Sequence, residues 1–180
     1  MDWGRIKTIF IIIFLVVDLA LSGLYFYNLN EDAKYAAKAR DNAVAYAAEE
    51  GIKLSCELPV DQPKMETLSV TLTKGGGVES YGEKTSYQII VTGKDGLGVI
   101  VDSTSENKRK TDSASRALIK LLQSFSKEER EGGLEVSAID LVYWVELSEG
   151  SDEGQKNTAI PSWRFVMTDG REFIFRAYSE

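Results

Sequence analysis

Apolar residues run almost without interruption from Thr8 to Tyr27. About 20 predominantly apolar residues suffice to cross a bilayer as an α-helix. No other stretch of the chain is comparable. Arg5 and Lys7 stand just before it, and Tyr25 and Tyr27 suit the far interface as aromatic anchors. The pattern predicts a short tail over residues 1–7, a transmembrane helix over 8–27 and one folded domain over 28–180. Ala20-Leu21-Ser22 has the small-x-small form of a signal-peptide cleavage site. The run continues through Leu24, Tyr25 and Phe26, longer than a cleaved apolar segment needs, so a retained span is expected.

Beyond the span the pattern changes to mixed periods. Residues 31–50 are rich in alanine and free of Gly and Pro, which predicts a helix. Asn30 is its expected N-cap and Gly51 its expected terminator. Ala33, Ala37, Val44 and Ala47, with Tyr46 nearby, give a thin apolar stripe. Such a helix either extends the span as a stalk or packs on the domain, and the sequence does not choose. Ile52, Leu54 and Cys56 alternate with polar residues, as do Leu68, Val70 and Leu72, and both runs predict strands. Pro59 and Pro63 mark the loop between them, and the glycine triple at 75–77 ends the second strand. Residues 86–92 and 97–102 are apolar and β-branched, and the Gly-bounded segment 93–96 predicts an antiparallel hairpin between them.

Lys108, Arg109 and Lys110 stand together in a polar stretch that reads as a solvated loop. The clearest amphipathic helix follows over residues 112–126. Ala114, Ala117, Leu118, Leu121, Leu122 and Phe125 share its apolar stripe, with Thr111 as the expected cap. Residues 127–133 form its exit. A long strand is predicted over 134–147, then an acidic loop over 148–158. Pro161 precedes two final strands, Trp163–Met167 and 171–178, joined at Asp169 and Gly170. A two-residue turn would pair Phe165 with Ile174. A three-residue turn with Gly170 left-handed pairs Phe165 with Phe173 and gathers Trp163, Phe165, Met167, Phe173 and Phe175 on one face. The second register is expected because it gives one apolar face, leaving Arg164, Glu172 and Arg176 on the other. The fold class is therefore α+β, with helices packed on a mostly antiparallel sheet.

Charge narrows the function. The chain has 180 residues, 28 Asp and Glu, 21 Lys and Arg, and a net charge of −7. Asp2 and Asp18 cancel Arg5 and Lys7, so the excess negative charge belongs to residues 28–180. An acidic domain argues against nucleic acid and against docking onto anionic lipid heads. There is no histidine, which excludes Ser–His and Cys–His nucleophiles, histidine zinc sites and a phospho-accepting histidine. The single cysteine, Cys56, has no partner for an intrachain disulfide and reads as a small core residue. Ser115 and Lys120 are not a helical turn apart, and Asp112, Asp140 and Asp152 lack calcium-loop spacing. No catalytic residue, metal ligand or cofactor site is predicted.

Asp18 is the anomaly. A carboxylate near the middle of a span costs about 2.5–3.5 kcal/mol on insertion scales, and such groups usually find a partner. Either Asp18 bonds to a polar group on another helix, or it is protonated and tolerated. The first reading is expected here, with Ala20 and Gly23 permitting close helix approach. A homodimer and a heterodimer both satisfy it. Arg5 and Lys7 favour a cytoplasmic N-terminus, but Lys34, Lys38 and Arg40 lie within reach of the other face, so charge alone does not fix orientation.

Met1-Asp2-Trp3, then Lys7, Ile9, Phe10, Ile11, Phe14, Leu15, Asp18 and Leu19, form one group of residues that occurs in a known family. Tyr143, Trp144, Val145 and Glu146, then Pro161, Trp163 and Arg164, then Asp169, Gly170 and Glu172, and finally Ala177 and Tyr178, form another in the same order. Across these two ends, about a third of the chain, the sequence resembles the YycI (WalI) family, of which it reads as a shortened version. These are membrane-anchored accessory proteins of the YycG/WalK cell-wall sensor kinase. The resemblance implies a cytoplasmic N-terminus, an extracellular domain, and association with the sensor histidine kinase and a YycH-like sibling protein. It implies modulation of the kinase and no enzyme activity. The rival reading is an exported module that binds a cell-wall fragment or peptide, which a groove lined by Trp144, Trp163 and Tyr178 would favour.

Overall fold

A computed structural model describes residues 3–74, 78–80, 87–92, 97–147 and 153–178. The elements in chain order are α1 (Trp3–Glu49), β1 (Ile52–Leu54), β2 (Lys64–Met65), β3 (Leu68–Lys74), β4 (Val78–Ser80), β5 (Ile89–Thr92), β6 (Leu97–Thr104) and β7 (Arg109–Lys110). They continue with α2 (Ala114–Ser124), α3 (Lys127–Glu131), β8 (Leu134–Glu146), β9 (Lys156–Met167) and β10 (Glu172–Arg176). The chain divides into two units, Met1–Ala39 and Arg40–Glu180. The expected glycine triple, the 93–96 turn and residues 148–152 of the acidic loop lie outside the described residues.

Among its described residues the first unit is helix alone. Asn30 does not cap a second helix, because α1 passes through it without a break. Between Leu24 and Glu50 there is no Gly or Pro to interrupt the backbone ladder, and a capping preference of about 1 kcal/mol yields to continued helical bonding. The helix ends at Gly51, with φ of +86°. An added Cβ there would stand 2.4 Å from the Arg130 carbonyl oxygen, so sterics and dihedral both require glycine.

The second unit is α+β with a mostly antiparallel sheet. Two long strands, β8 and β9, pair along its middle from Val136 opposite Met167 to Trp144 opposite Ile160. Each long strand carries two short partners on its outer edge. On β8 these are β1 and β5, both parallel to it. On β9 these are β10 and β3, both antiparallel. Beyond β3 lie β6 and then β4.

This arrangement makes two cores. One lies where the end of α1 and all of α2 cover β1, β10 and the adjoining halves of β8 and β9. Ala43 and Ala47 of α1 are buried in it, with Val44 half-buried. Val44 and Ala47 are therefore as predicted, and Ala43 joins them. Ala33 and Tyr46 are exposed. From α2 come Ala114, Ala117, Leu118, Leu121 and Leu122, followed by Phe125, all as the helical period predicts. The second core holds Leu68, Val70, Leu72, Val99, Val101, Tyr143 and Val145, and strands alone supply it. There β5 and β6 approach within 8 Å at their Cα atoms.

Four further expectations fail, each for a physical reason. The β5–β6 hairpin is absent: β6 already has β3 on one edge and β4 on the other, so β5 pairs with the free edge of β8. Thr111 does not cap α2, because its N–H is bonded to the Pro63 carbonyl at 3.1 Å and its backbone still belongs to a ribbon. Ser113 caps instead, accepting from Arg116 N–H. Ser126 caps the unpredicted α3 through a capping box with Glu129. Pro161 lies inside β9 rather than before it. Its carbonyl accepts from Ala177 N–H, so its missing N–H points to the same edge, in the gap between the last β3 partner and the first β10 partner. Finally, the cationic stretch is not all loop: Arg109 and Lys110 form β7, paired with β2.

The closing hairpin has the predicted register. Phe165 pairs with Phe173, and Gly170 has φ of +87°. Met167 N–H bonds to Arg171 O at 2.8 Å and Gly170 N–H to Met167 O at 3.0 Å. An added Cβ on Gly170 meets nothing within 4 Å, so substitution strains only the backbone. Gly170→Val is expected to destabilise the domain by about 1–3 kcal/mol, the cost of a residue held in a sparsely populated region. An unchanged thermal melting curve would contradict the turn.

Candidate functional site

The apolar part of α1 carries the most unusual chemistry. Among the described residues it is the one helix long and apolar enough to cross a membrane, by length and composition. Every side chain from Phe10 to Asn28 is exposed on its surface. Successive residues of an α-helix are turned by about 100°. Asp18 therefore shares a face with Ile11, Phe14, Leu15 and Ser22, and these residues with Leu19 line a shallow concavity. Ser22 sits one turn beyond Asp18, so a carboxylate and a hydroxyl stand side by side on an apolar surface. Sequence reading singled out Asp18 and passed over Ser22, although their i, i+4 spacing was visible in the chain.

Ala20 and Gly23 are elsewhere on the same helix. At about 100° per residue they lie about 160° and 140° around from Asp18, and about 60° from each other. A Cβ built at Gly23 meets nothing within 4 Å, so that face has open space beside it. One straight neighbouring helix cannot touch both Asp18 and the Ala20–Gly23 face. The helix thus offers a polar face for hydrogen bonding and a separate small-residue face for close backbone approach.

The domain does not assemble the aromatic groove. Trp163 is 2% exposed in the first core and donates from Nε1 to the Asp112 carbonyl at 2.8 Å. Trp144 points to the opposite face of the sheet, where its Nε1 donates to Thr92 Oγ1 at 2.8 Å and Arg176 stacks 5.9 Å from its ring centroid. Tyr178 donates its hydroxyl to the Met65 carbonyl. On the face with Trp144, Asp140 pairs with Arg164 at 2.7 Å and Glu146 with Arg176 at 2.8 Å. The first pair joins the neighbouring strands β8 and β9, and the second reaches across β9 from β10 to β8.

Cys56 is half-buried against the first core and lines a cleft of about 450 Å³ with Arg40, Val44, Leu54 and Leu58. Burial pushes its thiol above the ordinary cysteine range, which disfavours the thiolate and hence nucleophilic use. Burial also pushes up the Tyr143 phenol, with Glu66 adding to the effect. Ser115 and Lys120 lie five positions apart on α2, about 140° around the helix. Among the described residues no group of three or more Cys, Asp or Glu side chains is placed to hold a metal ion. Comparison with family models, curated proteins and solved structures gave no match to this chain.

Proposed function

We propose that the chain is a membrane-anchored, non-enzymatic regulator that associates with a cell-wall-sensing histidine kinase of the YycG/WalK type and modulates its activity, partly through its transmembrane helix. One observation carries the reading. Asp18 and Ser22 stand together on an exposed, otherwise apolar helix surface. A tether needs only apolar residues, and a carboxylate adds insertion cost without adding anchorage. It is useful when it meets a polar group on another helix. The likeness of both chain ends to the YycI family supplies the class of partner, a kinase together with a YycH-like sibling. The same likeness supports a domain outside the cell. Separation of Trp144, Trp163 and Tyr178 leaves the exported binding module without its groove.

Capture tests the association. The full chain, tagged and co-expressed with a YycG-type kinase, should retain the kinase in mild detergent where an unrelated single-span protein does not. Equal recovery by both would contradict the proposal. Topology is tested separately: protease added to intact protoplasts should digest residues 28–180. Full protection of that domain would reverse the orientation.

A further inference from the structure

We propose that the ribbon formed by β2 and β7 is a binding site for a soluble, phosphate-bearing anion. Its register sets Lys64 directly opposite Lys110, and Met65 opposite Arg109. Directly opposed residues of an antiparallel pair project to one face with Cβ atoms about 4.5–5.5 Å apart. The two lysines therefore rise side by side. Two residues further along each strand on that face, Glu66 and Lys108 form an ion pair at 3.4 Å, so the neighbouring carboxylate is already taken. Lys64, Arg109 and Lys110 are exposed and have no ion-pair partner among the described residues.

Like charges directly opposed across strands are destabilising. The chain has more acidic than basic side chains, 28 against 21, yet neither position opposing the other carries one. The ribbon is also held firmly. Thr111 N–H bonds to Pro63 O at 3.1 Å, Ser105 N–H bonds to Thr67 O at 2.9 Å, and Tyr178 donates to Met65 O between them. Met65 is buried beneath. The backbone therefore keeps the two cations together, a preorganised arrangement that lowers the ordering cost of binding.

The chemistry of the cations selects the ligand class. Planar carboxylates are best read by the bidentate fork of arginine, whereas lysine is a compact point charge. Two ammonium groups side by side suit the tetrahedrally spread oxygens of a phosphate group. The excess negative charge of residues 28–180 opposes adsorption to an anionic bilayer. Within a Debye length of about 8–10 Å a small ligand senses the local lysines instead. A soluble phosphate group satisfies both conditions.

The test uses the full chain in phosphatidylcholine nanodiscs, with inorganic tripolyphosphate as probe and calorimetric titration as readout. Wild type should bind saturably. Lys110→Glu should weaken binding at least tenfold and raise the melting temperature, because it places a carboxylate opposite Lys64. Neutral Lys64→Gln with Lys110→Gln should also lose binding, and serves if the charge reversal fails to fold. Absence of binding by wild type, or binding indifferent to Lys110, overturns the proposal. So does wild-type cosedimentation with phosphatidylglycerol vesicles, lost in Lys110→Glu, without tripolyphosphate binding, since that assigns the ribbon to a lipid headgroup.

Discussion

Phe165→Ala is expected to destabilise the domain by about 3–5 kcal/mol, the range for deleting a fully buried aromatic ring. Phe165 is 0% exposed, among the largest fully buried side chains. It stands in the middle of β9, opposite Ile139 on β8 and Phe173 on β10. Its ring meets that of Phe175 edge-on, with centroids 6.0 Å apart. The substitution removes transfer free energy and leaves a cavity that three paired strands and α2 cannot easily close, because the ladders fix their spacing. Phe173 is only half-buried, so Phe173→Ala should cost less. Denaturant unfolding of the full chain in neutral detergent measures both. A loss below about 1 kcal/mol for Phe165→Ala would mean that this core is not where most of the stability lies.

The features legible in the sequence are those set by local periodicity. The stripe of α2, the alternation of Leu68, Val70 and Leu72, and the Phe165–Phe173 register each follow from one segment and its neighbour in the chain. The hairpin was decidable because one register gathers five apolar side chains on one face and the other divides them. The failures depend on which distant strand occupies an edge. Residues 86–102 contain a hairpin by every local sign, yet β5 joins β8, more than 50 residues away in sequence, because β4 fills the edge of β6. Pro161 marks an interruption by its chemistry alone, but it falls where β9 changes partners and needs no donor. The cationic ribbon was hidden for the same reason: nothing near Lys110 in sequence reveals that Lys64 is opposite. In the candidate site, Asp18 was evident by its charge, whereas Ser22 was passed over although its i, i+4 spacing to Asp18 stands in the chain. That Ala20 and Gly23 face away from Asp18 follows once α1 is a continuous helix through them.

Asp18→Leu is the second substitution with a large expected effect, and it acts in opposite directions on two quantities. Insertion should become easier, since removing a mid-span carboxylate recovers about 2.5–3.5 kcal/mol on insertion scales. Partner capture should fall. Interhelical hydrogen bonds in membranes average about 0.6 kcal/mol and reach about 1.7, which corresponds to weakening of about threefold to twentyfold. That is too little to hold a complex alone, but enough to set the rotation of a helix already brought close by packing. Gly23→Leu probes the other face by filling the open space beside it, and separates loss of close approach from loss of the hydrogen bond.

The most direct measurement is co-purification of the YycG-type kinase with full-length wild type and with Asp18→Leu, normalised to the amount of inserted protein, with kinase autophosphorylation read in parallel. The account predicts equal or higher insertion of Asp18→Leu, reduced kinase recovery and altered kinase output. If Asp18→Leu captures the kinase and sets its output as wild type does, the carboxylate is a passenger and the partner contact lies in residues 28–180.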